Sequence, residues 1–110
     1  MKYKIDIKPF SINGAYRGKI TKTFKLKQYE RDLAFLLPSK KIDFKGEELM
    51  LEIILGFSSK GSDIDNPQKP IMDALAKKYN YNDNQIYRLV LTKLIVPKGQ
   101  EYFEFNLTII

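Results

Sequence analysis

Polar and apolar residues alternate from Lys2 to Lys8, with Tyr3, Ile5 and Ile7 set against Lys2, Lys4, Asp6 and Lys8. That period of two predicts a half-buried strand ended by Pro9. Residues 11–23 are polar, contain Gly14 and Gly18, and read as a loop with little regular structure. The period then changes. Leu26, Tyr29, Leu33 and Leu36 recur at helical spacing, predicting a helix over Lys25–Leu37 that Pro38 stops. Leu49–Phe57 is an almost continuous apolar run, as expected of a strand central in a sheet. Asn66-Pro67 predicts the start of a second helix, with Asn66 as cap and proline in the first turn. Ile71, Leu75 and Tyr79 line one face of it, and Asn80 is the residue suited to a left-handed stop. Two further strands, residues 85–96 and 100–109, are joined by the turn Pro97-Lys98-Gly99. Phe103, Phe105, Leu107 and Ile109 face the core in the last strand, and Tyr87 and Tyr102 are also core candidates.

The order β-α-β-α-β-β predicts an α+β (mixed α/β) fold, with two helices packed on one mixed sheet. The β-α-β part favours a parallel strand pair, and the terminal hairpin adds an antiparallel one. With 110 residues the chain suits a single domain spanning 1–110, with no internal repeat or linker.

Composition narrows the chemistry. There is no cysteine and no histidine. Disulfides, thiolate sites and thiol catalysis are excluded, and any metal site must be built from oxygen. No apolar run is long enough to span a membrane, and the N-terminus lacks a signal-like apolar region, so the expected location is cytoplasmic. The net charge of +6 is unevenly distributed. Residues 1–45 hold 12 basic and 4 acidic side chains, whereas residues 46–110 hold 7 and 9. A basic front half fits a polyanionic partner, although a lysine-rich surface has the same composition.

The chemistry-bearing residues lie in the other half. Asp63-Ile64-Asp65-Asn66 precedes the second helix, Lys69 stands in its first turn, and Asp83 follows its end. In an extended segment Asp63 and Asp65 share a side while Ile64 turns to the core. Two carboxylates about 4 Å apart repel by roughly 1–4 kcal/mol, a penalty that a hard divalent cation removes. The same stretch also reads as a solvated polar loop with a helix cap. Asp73 is better placed for an i,i+4 pair with Lys69 or Lys77 than for metal binding. Asp83 joins the other two aspartates only if the chain bends back or the third strand starts beside their loop.

On these residues the chain resembles the RusA family of Holliday-junction resolvases, small Mg²⁺-dependent endonucleases of bacteria and their phages. The resemblance rests on Asp63-Ile64-Asp65-Asn66, Lys69, Asp73-Ala74-Leu75 and Asn82-Asp83-Asn84-Gln85-Ile86, with Pro9 and Asn13-Gly14-Ala15-Tyr16-Arg17 at the front. It implies that Asp63, Asp65 and Asp83 bind Mg²⁺, with Mn²⁺ as a substitute, and that Lys69 is the catalytic lysine. It also implies a homodimer acting on four-way or branched DNA in recombination and repair. Asn13, Tyr16, Arg17, Lys19 and Lys60 are candidate DNA contacts, and Lys22, Lys25 and Lys27 extend the basic run. The chain departs from the family pattern at Asn82, where an aspartate is usual, at Pro67 in place of leucine, and at the glycine missing after the second helix. Two other readings compete. One is a branched-DNA-binding module of the same fold that does not cut, and the other is a metal enzyme acting on a small phosphorylated molecule.

Overall fold

In the computed structural model, residues 1–10, 16–17, 21–65 and 67–110 are described. Four strands form one mixed sheet in the order β1-β6-β4-β5: β1 (Lys2–Ile5), β4 (Leu49–Phe57), β5 (Ile86–Ile95) and β6 (Tyr102–Ile109). A separate two-stranded pair joins β2 (Tyr16–Arg17) and β3 (Thr21–Lys22). Two helices, α1 (Phe24–Leu36) and α2 (Gln68–Tyr79), complete the mixed α+β architecture.

The alternation of β4 builds the core. Leu49, Leu51, Ile53, Leu55 and Phe57 are buried on one face, and Phe103, Phe105 and Leu107 of β6 join them. The helices cover that face with Tyr29 and Leu33 of α1 and Ile71, Leu75 and Tyr79 of α2. Burying aliphatic and aromatic side chains such as these contributes about 1.5–3 kcal/mol each. The other face of the sheet carries Glu52, Glu104 and Asn106 among half-buried apolar residues.

The helix boundaries follow local chemistry. Thr23 caps α1, its hydroxyl accepting from the Leu26 amide at 3.3 Å. The helix therefore begins one residue earlier than its apolar spacing suggests. Leu36 is exposed, and Leu37, already extended, enters the core instead. The start of α2 differs from expectation in kind. Pro67 is its cap residue, in right-handed helical conformation and without a side-chain bond, while Asn66 lies outside the described residues. Asn80 ends α2 in the left-handed region at φ 55°, as its identity predicts.

Four other expectations are corrected. The first strand stops at Ile5 because the Ile7 amide turns back onto the Ile5 carbonyl at 2.9 Å, a three-residue turn that breaks the alternation. The loop expected over residues 11–23 contains the β2–β3 pair. No terminal hairpin forms. β5 runs parallel to β4, and residues 96–101 carry the chain past the end of β4, so that β6 pairs antiparallel with β4 and β1. The core positions assigned to Tyr87 and Ile109 are also wrong. Tyr87 is 67% exposed and Ile109 49%, because β5 is an edge strand and Ile109 is the last residue of β6.

Candidate active site

The loop leaving β4 delivers Asp63 and Asp65, and three contacts fix its path. The Ser62 amide closes a turn onto the Ser59 carbonyl at 3.2 Å. Ser58 donates to Glu101 Oε2 at 2.8 Å, tying the loop's first residue to the segment that crosses to β6. Lys93 on β5 reaches in from the side, its ammonium donating to the carbonyls of Lys60 at 2.7 Å and Ser62 at 2.5 Å. The same ammonium lies 5.9 Å from the centre of the Phe57 ring.

Asp63 and Asp65 are both exposed at the end of this clamped loop. The segment is not extended, as the period-two argument assumed. Ile64 and Asp65 form a turn, and Ile64 is 37% exposed. Alternation therefore does not explain how the two carboxylates are displayed. Lys69 follows in the first turn of α2, its Nζ 3.2 Å from Asp73 Oδ1. That pair is the i,i+4 interaction expected for Asp73.

Asp83 sits elsewhere. It opens a short 3-10 turn, Asp83–Gln85, that leads into β5. Ile86 pairs with Leu49 at the start of β4, whereas Asp63 follows the end of β4 at Phe57. The nine residues of β4 span about 27 Å, and the twelve residues of α2 rise about 17 Å back along it. Asp83 therefore lies at the opposite end of the sheet from Asp63 and Asp65. Among the described residues, no three acidic side chains of the chain gather into a group able to hold a metal ion. The two routes by which Asp83 was expected to join the other aspartates within one chain are not taken.

The turn at Asp83 is tightly built. Asn82 Oδ1 accepts from the Asn84 amide at 3.0 Å, and Gln85 Oε1 accepts from the Asn82 amide at 2.9 Å. Gln85 Nε2 donates to the carbonyls of Phe44 at 2.6 Å and Glu47 at 3.0 Å. Beneath lies Tyr81, whose phenol is pushed up by burial, with the Asp83 charge adding to the effect. Burial also raises the Tyr79 phenol, to about 12, and its hydroxyl donates to the Pro38 carbonyl at 2.7 Å.

Among the candidate DNA contacts, Lys60 is exposed on the loop before Asp63. Asn13 and Lys19 lie outside the described residues. Tyr16 and Arg17 are placed on β2 by their backbone alone, as is Lys22 on β3. Lys25 and Lys27 are exposed on α1.

Sequence reasoning missed Lys93 and gave Gln85 no role. Lys93 had a signal. It stands where β5 should be apolar, in the inward phase of Leu89, Leu91 and Ile95. A lysine there needs a polar destination, and the loop carbonyls supply it.

The sequence model of one family, described as Endodeoxyribonuclease RusA, matches residues 9–100. That span includes both aspartate elements, Lys69 and Lys93. No curated protein matches the chain.

Proposed function

The chain belongs to the RusA endodeoxyribonuclease family, and from that premise we propose that it resolves four-way DNA junctions in a site shared by two copies of the chain. The observation that carries the shared site is the placement of Asp63 and Asp65 at one end of the sheet and Asp83 at the other. A two-fold dimer presents each pair of aspartates to the Asp83 of the second copy. Two such sites per dimer match the two symmetric incisions that a four-way junction needs.

The donor set fits a hard cation. Every candidate ligand is a carboxylate oxygen, and neither histidine nor cysteine is available to select a softer metal. Asp63, Asp65 and the second copy's Asp83 would hold Mg²⁺ or Mn²⁺. Bound there, such a cation would supply Lewis acidity toward water and the scissile phosphate. Lys69 adds positive charge from the first turn of α2, where free backbone amides also favour an anion. The clamp by Lys93 keeps Asp63 and Asp65 in place while DNA is bound. The basic front half, with Lys60 beside the site, supplies attraction for phosphate that weakens with salt.

The test uses purified protein with a labelled four-way junction and a matching linear duplex, with Mg²⁺ or EDTA. Paired incisions at the junction that require the cation, and their loss in Asp63→Asn with junction binding retained, are the expected results. Uncut junctions under all conditions would favour a DNA-binding module instead. The shared site has its own test. Asp63→Asn and Asp83→Asn are each inactive, but mixing them restores one intact site per mixed dimer. Nicking then returns, whereas sites confined to single chains would stay dead.

A further inference from the structure

The two helices run side by side in the same direction. Glu30 and Ala34 of α1 face Asp73, Ala74, Lys77 and Lys78 of α2 across a shallow groove, and Lys78 Nζ donates to the Ala34 carbonyl at 2.9 Å. Phe24 stands ten residues before Ala34, and Gln68 ten before Lys78, so each lies about 15 Å back along its helix. The first turn of α1 is therefore level with Gln68 and Lys69, at the end of the sheet that carries Asp63 and Asp65.

An aromatic ring stands in water at that level. Phe24 is 75% exposed, while Leu26, Tyr29 and Leu33 take the buried side of the helix. Lys27 and Arg31 follow it three and seven residues on, along the same outward face, and both are exposed. A lone exposed aromatic carries no inference; the company of this one does. Between Asp6 and Glu30 the chain has no acidic residue and six basic ones. The first turn of α1 is likewise free of acidic residues and holds lysine, an unfavourable choice beside the positive helix end unless an anion comes to it. A ring set among such charges suits a ligand that is both polyanionic and flat-faced.

We propose that Phe24 stacks on a base pair at the branch point of four-way DNA, with Lys25, Lys27 and Arg31 on the flanking phosphates. The inference rests on the junction-resolving reading and names the group that tells a junction from a duplex. Every pair inside a linear duplex is stacked on both faces and offers the ring nothing. A pair at an opened crossover has lost one neighbour and shows a π face. Stacking a base on an aromatic side chain is worth roughly 5- to 150-fold in affinity and is indifferent to sequence. The ring shares its end of the molecule with Lys69 and the Asp63 loop, so a branch point held there brings its own phosphates to the candidate site. Phe35 serves as the contrast. It is 87% exposed but lies about 16 Å farther along α1, toward the opposite end of the sheet.

The chain has no tryptophan, so Phe24→Trp introduces a single reporter whose emission is quenched when it stacks on a base. The unaltered chain, Phe24→Ala, Phe24→Leu and Phe24→Trp are titrated in EDTA with a four-way junction and a linear duplex of matching sequence. Phe35→Ala and Phe35→Trp are the controls, and circular dichroism shows that each variant is folded. Phe24→Ala and Phe24→Leu should bind the junction roughly 10- to 100-fold more weakly, with duplex affinity changed by less than about twofold. Leucine keeps an apolar side chain without a π face, so its failure separates stacking from mere apolar contact. Phe24→Trp should retain junction affinity and be quenched by the junction and not by the duplex, whereas the Phe35 variants should bind as the unaltered chain does and show no such quenching. Folded Phe24→Ala that keeps its preference for the junction, or that loses both DNAs equally, would overturn the stacking role. Equal quenching of Phe24→Trp by both DNAs would do the same. If the unaltered chain still cuts junctions in Mg²⁺, those results leave the resolving activity standing. An unaltered chain that neither prefers nor cuts the junction would overturn both.

Discussion

The Lys93 ammonium donates to the Lys60 carbonyl at 2.7 Å, bridging an edge strand to the loop that carries two aspartates. A second bond to the Ser62 carbonyl fixes the residue directly before Asp63. The contact is to backbone, so it governs where Asp63 and Asp65 stand without touching their carboxylates.

Lys93→Met keeps the length of the side chain and removes both bonds. The loop loses its lateral anchor while the core beneath is unchanged. Misplacing a catalytic group by about 1 Å costs on the order of 100-fold in rate. Lys93→Met is therefore expected to lower kcat roughly 10- to 100-fold while junction affinity changes little. Lys93→Arg, which can still donate to both carbonyls, should recover part of the rate. Single-turnover cleavage together with a junction-binding titration separates the two effects.

The helices and strands were legible wherever burial sets the period. Leu49–Phe57 was read to the residue because every second side chain meets the core. Ile71, Leu75 and Tyr79 are the buried stripe of α2 that their spacing indicates. Periodicity carries no information about which strands are neighbours. A six-residue link between β5 and β6 suits a hairpin as well as the crossing seen here, so the sheet order was not legible. The site residues were visible as a motif, but their distance in space depends on that same order. Nothing local to Asp83 records that it stands at the far end of β4.

Asn82 and Gln85 have a structural task that accounts for their place in the motif. Asn82 uses its side-chain oxygen as an acceptor, which aspartate does equally well. Asn82→Asp should shift stability by no more than about 0.5 kcal/mol and leave cleavage unchanged, whereas Asn82→Ala should cost about 1 kcal/mol. Gln85→Ala removes one accepted bond and two donated ones, leaving the carbonyls of Phe44 and Glu47 without that donor. A loss of about 2–3 kcal/mol is expected. Urea unfolding of the three variants checks the order.

Gly56 lies on β4 where it passes Tyr102 of β6. A Cβ added there would stand 2.5 and 2.6 Å from two carbons of the Tyr102 ring. The ring is also held from above by Lys4, whose Nζ is 4.6 Å from its centre. Gly56→Ala must displace the ring, at a cost of about 1–3 kcal/mol. Tyr102→Ala removes the obstacle, so the double variant should lose less than the two single losses combined. A double-mutant cycle in thermal unfolding measures that coupling.

Glu101 gives the loop a pH dependence that can be worked out in sign. Its carboxylate accepts from Ser58 Oγ and from the Gly99 amide, both at 2.8 Å. Backbone donation comes first among the causes that hold its pKa below the ordinary value of 4.5, with the Ser58 hydroxyl next. A group whose pKa is lower folded than unfolded stabilises the fold above its unfolded value. That contribution is lost as pH falls through the lowered folded value. Glu101→Gln should therefore melt below the unaltered protein at pH 7, with the gap closing as pH drops below about 4.5. Ser58→Ala should narrow the gap without abolishing it, since the Gly99 amide still donates. Melting curves of the three proteins at pH 7 and pH 3 test this, and an equal gap at both would show that the charge on Glu101 plays no part in holding the loop.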